Sequence, residues 1–194
     1  MHKGNHLAVI LKSDKTVFTF KDIALLWREM ASPATRVRIN YYVKKGDLIR
    51  LRRGIYAKTQ NYNRLELATR VFTPAYVSFE TVLVKEGLVF QVYEKIFVAS
   101  YLTREITIGD QTYALRKVKD AVLTNPLGID HREESSIATK ERAFLDTLYA
   151  NSDYHFDNLQ GLNWEKVLEI LPIYTNKRME KVVNRLYSEL EKKN

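Results

Sequence analysis

The segment spanning residues 19–58 constrains the fold most, because signals for the start and end of regular structure bracket each of its elements. Thr19 is followed three residues later by Asp22, a helix N-cap pattern in which the hydroxyl and the carboxylate each bind a free backbone N–H. Apolar residues then recur at helical spacing, at Ile23, Leu26 and Trp27. The pattern predicts a helix over about residues 20–30. A shorter helix is predicted before it, over residues 7–13.

A second helix follows almost at once. Ser32 is a capping residue that precedes Pro33, and the fixed φ of proline suits a first helical turn. Gly46 supplies a stop after two lysines. These signals predict a helix over residues 33–45. Its predicted core face carries Ile39, Tyr42 and Val43.

Residues 48–58 alternate apolar and basic side chains around Arg53-Gly54, which predicts a two-stranded hairpin with a glycine turn. Arg50 and Arg52 are expected to project outward. The expected inner surface consists of Ile49, Leu51, Ile55 and Tyr56. Two helices, a connecting turn and a basic hairpin together predict a winged helix-turn-helix.

The surplus positive charge of the chain lies in the same region. Residues 1–60 hold 13 Lys or Arg against four Asp or Glu, whereas residues 61–194 hold 18 against 19. A basic segment beside a neutral remainder indicates a polyanionic partner, either nucleic acid or an anionic membrane. We therefore expect a DNA-binding domain over residues 1–60 and a separate domain over residues 61–194.

The predicted second helix carries side chains suited to the major groove of DNA. Arginine can donate two hydrogen bonds to guanine, asparagine can pair with adenine, and a valine methyl group can contact thymine. The candidate groove residues are Arg36, Val37, Asn40, Tyr41 and Lys44. The candidate wing residues, which would contact phosphates, are Arg50, Arg52 and Arg53. The alternative is that these basic residues only keep a solvated helix face soluble.

The remainder of the chain predicts a mixed domain, so that the whole is an α+β protein. Runs rich in β-branched and aromatic residues predict a small antiparallel sheet of strands 95–100, 105–108 and 111–118, with Gly109-Asp110 as a turn. Ser78 and Thr139 are the expected N-caps of two helices. The predicted helices cover residues 63–72, 79–86, 140–149, 164–171 and 177–192.

Several classes of function lack their sequence signals. The chain has no cysteine, its four histidines lack metal-ligand spacing, and no phosphate-binding glycine motif occurs, so we expect no metal, no cofactor and no enzymatic activity. The apolar run over residues 7–11 is too short for a signal peptide or a membrane span, which makes the cytoplasm the expected location and a membrane partner unexpected. Arg142 and Asp146 are spaced as an ordinary intrahelical ion pair worth a few tenths of a kcal/mol.

Three segments of the chain resemble one family. Residues 18–58, from Phe18-Thr19-Phe20-Lys21-Asp22-Ile23-Ala24 to Arg53-Gly54-Ile55-Tyr56-Ala57, look like the N-terminal winged helix of AbiEi-type antitoxins. These belong to bacterial type IV toxin–antitoxin, or abortive-infection, systems. Residues 76–81 and 138–146 resemble the second half of the same family. Winged helices are widespread, so the combination of the three segments is more specific than the first alone.

The resemblance implies an antitoxin that represses its own operon through double-stranded DNA and opposes a toxin resembling a nucleotidyltransferase, without a stable complex with it. Inverted repeats bound by two copies of the chain are the expected operator arrangement. Three alternatives stay open. The second domain can be a nuclease or another enzyme that uses Glu141 and Asp146, the chain can be a stand-alone regulator, or its basic face can bind an acidic protein.

Overall fold

The computed structural model describes residues 6–132 and 134–192, which form a mixed α+β structure. The first part contains three helices and three short strands. In chain order these are α1 (His6–Lys12), β1 (Val17–Thr19), α2 (Phe20–Leu26), α3 (Pro33–Lys45), β2 (Ile49–Arg52) and β3 (Ile55–Ala57). The strands form an antiparallel sheet in the order β1-β3-β2, in which β3 is central. The hairpin prediction is confirmed, and β1 is an additional strand that sequence analysis did not predict.

Helix α3 begins and ends at the predicted residues. The Ser32 hydroxyl accepts a hydrogen bond from the Thr35 N–H, and Pro33 occupies the first turn. Gly46 ends the helix in the left-handed conformation, with φ of 82°. Ile39 is fully buried, and Tyr42 and Val43 pack beside it, so the predicted core face is confirmed.

Helix α2 is shorter than predicted. Its predicted capping box is present, since Thr19 and Asp22 exchange side-chain and backbone hydrogen bonds. The helix ends at Leu26 instead of about residue 30, because Arg28 has a positive φ of 55°, which no α-helix accommodates. Residues 27–32 therefore form the connection to α3.

Two clusters of buried apolar side chains lie on opposite sides of β3. The smaller cluster joins α1, α2, α3 and the hairpin, through Ile10, Phe18, Ile23, Trp27, Ile39, Leu48 and Tyr56. The larger cluster belongs mainly to the second part of the chain, but it includes Val17 and Ile55. Because Ile55 and Tyr56 point to opposite faces, β3 is buried on both sides, and the two parts of the chain share apolar contacts.

The second part is built on a six-stranded sheet in the order β6-β7-β5-β4-β9-β8. Its strands are β4 (Ala75–Val77), β5 (Ile96–Ser100), β6 (Arg104–Ile108), β7 (Gln111–Lys117), β8 (Ile129–Arg132) and β9 (Ser135–Ala138). The prediction of a small antiparallel sheet here is wrong, because β5 pairs with β7 in parallel, as β4 does with β9. The β6–β7 hairpin is antiparallel as predicted, with Ile108 opposite Gln111.

The five helices predicted for the second part of the chain are present close to their predicted ranges, and a short helix over residues 120–123 and a 3₁₀ helix were not predicted. In chain order the helices are α4 (Arg64–Val71), α5 (Glu80–Lys85), α6 (Asp120–Leu123), α7 (Lys140–Ala150), α8 (Trp164–Ile170), a 3₁₀ helix (Leu171–Tyr174) and α9 (Lys177–Glu191). Thr139 caps α7 as predicted. Ser78 does not cap α5, because its hydroxyl donates to Asp146 instead. Among the described helices, none has the length and apolar character that a membrane crossing requires.

Candidate nucleic-acid interface

Helix α3 exposes the face on which sequence analysis placed groove contacts. Arg36 and Lys44 are exposed, and Asn40 between them is half-buried. Val37 and Tyr41 leave 69% and 54% of their surface in solvent, although both are large and apolar or aromatic. Since Ile39 anchors the opposite face in the smaller cluster, the orientation of this face is fixed by packing.

The cations on the exposed face of α3 and on the hairpin have no acidic partner among the described residues, whereas several arginines elsewhere are paired. Arg38 pairs with Glu29 on the inner side of α3, and Arg64 and Arg116 each pair with a carboxylate. No described carboxylate lies within ion-pair distance of Arg36, Lys44, Lys45, Arg50, Arg52 or Arg53. Their charge is therefore available to a polyanion.

The predicted wing residues differ in their surroundings. Arg53 is exposed at the turn beside Gly54. Arg50 is also exposed and donates from Nη2 to Asn40 Oδ1, which joins the hairpin to α3. Arg52 departs from the prediction, because it is half-buried with its guanidinium 5.3 Å from the centre of the Phe72 ring. It therefore packs towards the second part of the chain as well as carrying charge.

Two further contacts organise the face of α3. The guanidinium of Arg36 lies 4.9 Å from the centre of the Phe20 ring, at the start of α2, within the range of a cation–π contact. Lys45, which sequence analysis did not select, lies one turn after Tyr41 with its ammonium 5.3 Å from the Tyr41 ring. A hydrogen bond with Tyr41 raises the pKa of Lys45, so the ammonium stays charged at neutral pH. The spacing of four residues was the available sequence signal.

An ionic cluster joins the start of α2 to the second part of the chain. Arg70 contacts Asp22, Glu66 and Glu134, and Lys15 contacts Asp22 and Glu134. Partial burial opposes the ionisation of Asp22, but hydrogen bonds from Thr19 and the attraction of Arg70 and Lys15 outweigh it and lower the pKa of Asp22. An open cleft of about 700 Å³ lies beside this cluster and is lined by both parts of the chain.

Glu66 makes the most buried polar connection between the two parts. Its side chain is 1% exposed, and Oε2 accepts hydrogen bonds from the Thr16 and Val17 N–H groups at 2.8 and 3.2 Å. The Thr16 hydroxyl donates to the same oxygen at 2.7 Å. The carboxylate of α4 thereby satisfies the backbone at the start of β1.

The pair Arg142–Asp146 is not the ordinary surface ion pair that its spacing predicted. Both side chains are fully buried, and Arg142 Nε lies 3.5 Å from Asp146 Oδ1. Asp146 accepts hydrogen bonds from the hydroxyls of Tyr76, Ser78 and Tyr174 at 3.1, 2.7 and 2.7 Å. Burial and the Asp146 carboxylate raise the pKa values of Tyr76 and Tyr174, so both hydroxyls remain donors. The local i,i+4 spacing contains no signal for this burial.

Arg142 completes this buried polar cluster, defined here as Tyr76, Ser78, Arg142, Asp146 and Tyr174. Its Nη1 donates to the Leu127 carbonyl at 2.7 Å, and its Nη2 donates to the Val122 carbonyl at 2.6 Å and to the Tyr76 hydroxyl at 3.0 Å. The cluster therefore ties α7 to β4 and to the segments around α6. It has the contacts of a structural core element.

The residues named for the nuclease alternative are not accessible. Asp146 is fully buried, and Glu141, which is 3% exposed, accepts a hydrogen bond from the Asn163 N–H. Across residues 6–132 and 134–192, no group of three acidic or histidine side chains is arranged to hold a metal ion. Comparison with known proteins adds no relative, since no protein-family model matches the chain and no curated protein is significantly similar to it.

Proposed function

We propose that this protein binds double-stranded DNA through a winged helix-turn-helix, with α3 in the major groove and the β2–β3 hairpin as the wing. The order helix, strand, two helices and hairpin supports this assignment, as does the smaller cluster that packs these elements together. Arg36, Val37, Asn40, Tyr41 and Lys44 then contact the groove. Arg50, Arg52 and Arg53 approach the phosphates, and Lys45 joins them.

The observation that carries the proposal is the set of unpaired cations on α3 and the hairpin. Proteins that neutralise DNA phosphates release condensed counterions, and this release supplies much of the binding free energy. The six cations lie on elements joined by the Arg50–Asn40 hydrogen bond. Exposed Val37 and Tyr41 beside them add the flat and apolar groups that contact base edges.

We further propose that the chain represses its own operon and acts as the antitoxin of a type IV system. The support for this step is the resemblance to AbiEi-type antitoxins, which also implies a toxin resembling a nucleotidyltransferase and no stable complex with it. The resembling segments 76–81 and 138–146 contribute four of the five residues of the buried polar cluster. These segments therefore support the proposal that the second part of the chain shares its fold with AbiEi-type antitoxins.

The groove and wing assignments predict different results for two arginine variants. Arg36→Ala should weaken binding to the fragment upstream of the chain's own gene more than binding to a scrambled fragment, and so reduce sequence preference. Arg53→Ala should weaken both fragments equally and lower the slope of log affinity against log salt by about one. Fluorescence anisotropy with both fragments over a salt series measures each effect. If both variants lost affinity uniformly, the groove assignment of α3 would be wrong.

Co-expression tests the antitoxin proposal separately. The chain should restore growth to cells that express a nucleotidyltransferase-like toxin encoded beside it, without co-purifying with that toxin. The Arg36→Ala and Arg53→Ala variants serve as matched controls. Because they weaken DNA binding, they separate loss of operon repression from loss of rescue of toxin-expressing cells. Repression of a promoter reporter without rescue would leave a stand-alone regulator and exclude the antitoxin role.

A further inference from the structure

The hydrogen bond between the hairpin and α3 fixes the orientation of the Asn40 amide. Arg50 donates from Nη2 to Asn40 Oδ1. A guanidinium carries only donors, so the amide oxygen must face Arg50 and the amide nitrogen must face away. Asn40 Nδ2 has no hydrogen-bond partner among residues 6–132 and 134–192.

Arg50 is itself held in place. It stands directly opposite Tyr56 in the β2–β3 ladder, and its guanidinium lies 6.0 Å from the centre of the Tyr56 ring. Tyr56 is 4% exposed and belongs to the smaller cluster. The Asn40–Arg50 pair therefore packs, through Tyr56, on the same smaller cluster that contains Ile39 of α3.

We infer that Asn40 and Arg50 act as one donor-only recognition pair that selects guanine over adenine. Adenine recognition by asparagine needs Oδ1 to accept from N6 and Nδ2 to donate to N7. Here the N6 amino group of adenine would have to share Asn40 Oδ1 with the Arg50 guanidinium. Guanine offers two acceptors, N7 and O6, to the free N–H groups of Asn40 and Arg50. This inference rests on the proposed DNA binding. It alters the adenine contact expected from the sequence and moves Arg50 from a phosphate contact to a base edge.

Selection from a pool of random 20-base-pair duplexes tests the pair. The wild-type chain should enrich guanine over adenine by about tenfold at one position of the selected site. Arg50→Ala frees Oδ1, so the preference at that position should shift to adenine. Asn40→Ala should remove the preference. Asn40→Asp presents acceptors in place of donors and should shift it to cytosine.

Arg53→Ala is the matched control, since it removes a neighbouring arginine without touching Asn40 and should leave every base preference unchanged. Thermal unfolding of each variant checks that it folds. A wild-type preference for adenine at the Asn40-dependent position, or a guanine preference that Arg50→Ala does not change, would overturn the pair while leaving DNA binding intact. A wild-type chain that enriches no sequence would overturn the proposed function and the pair with it.

Discussion

Replacement of Arg142 by methionine is expected to lower the free energy of unfolding by about 3–5 kcal/mol, the usual cost of removing one partner of a buried ion pair. Asp146 would keep its three hydroxyl donors but lose the one cation that pairs with it among the described residues. The Leu127 and Val122 carbonyls would also lose the guanidinium donor, although Val122 would keep the Asn125 N–H. Since whole domains are stable by about 5–15 kcal/mol, this single change removes a large share of the total.

Urea denaturation of the wild type and the variant measures the loss. Arg185→Met is the matched control, because Arg185 and Glu189 have the same i,i+4 spacing on α9 but are 65% and 58% exposed. The control should change stability by less than about 0.5 kcal/mol. An Arg142→Met variant within about 1 kcal/mol of the wild type would contradict a structural role for the buried polar cluster.

Replacement of Glu66 by alanine is expected to lower the free energy of unfolding by about 2–4 kcal/mol. It removes the carboxylate that accepts hydrogen bonds from two backbone N–H groups and one hydroxyl. Arg70 would lose one of its three acidic partners at the same time. The lost hydrogen bonds join the start of β1 to α4. The variant should therefore also weaken the contact between the DNA-binding elements and the rest of the chain.

Urea denaturation with hydrogen exchange measures both effects. The Thr16 and Val17 amides should exchange faster in Glu66→Ala than the drop in global stability explains. Glu105→Ala is the matched control, since Glu105 pairs with Lys95 at 2.7 Å but both side chains are about half-exposed. Equal, small effects of the two substitutions would show that Glu66 does not hold the parts together.

Local signals account for what sequence analysis predicted well. Ser32, Pro33 and Gly46 define α3 to the residue, because capping, fixed φ and left-handed conformation are properties of single residues. The hairpin turn at Gly54 is likewise local, with φ of 79°. The exposed face of α3 followed from helical geometry once its ends were known.

Contacts distant in sequence account for what was missed. Strand β4 has three residues and β8 and β9 have four each, too few to show a period, and the parallel pairing of β5 with β7 depends on the whole sheet. The i,i+4 spacing of Arg142 and Asp146 is the same at a surface and in a core. Their burial follows from Tyr76, Ser78 and Tyr174, which lie 28 to 70 residues away from Asp146.

The most direct test of DNA binding is the affinity of the wild-type chain for its upstream fragment and for a scrambled fragment of equal length, measured across a salt series. At about 0.9 counterion released per phosphate neutralised, the three cations assigned to phosphates alone, Lys45, Arg52 and Arg53, predict a log–log slope of roughly −3, and all six unpaired cations predict roughly −5. They also predict tighter binding to the upstream fragment at every salt concentration. Equal, weak binding to both fragments with a slope near zero would contradict the assignment of this surface to DNA.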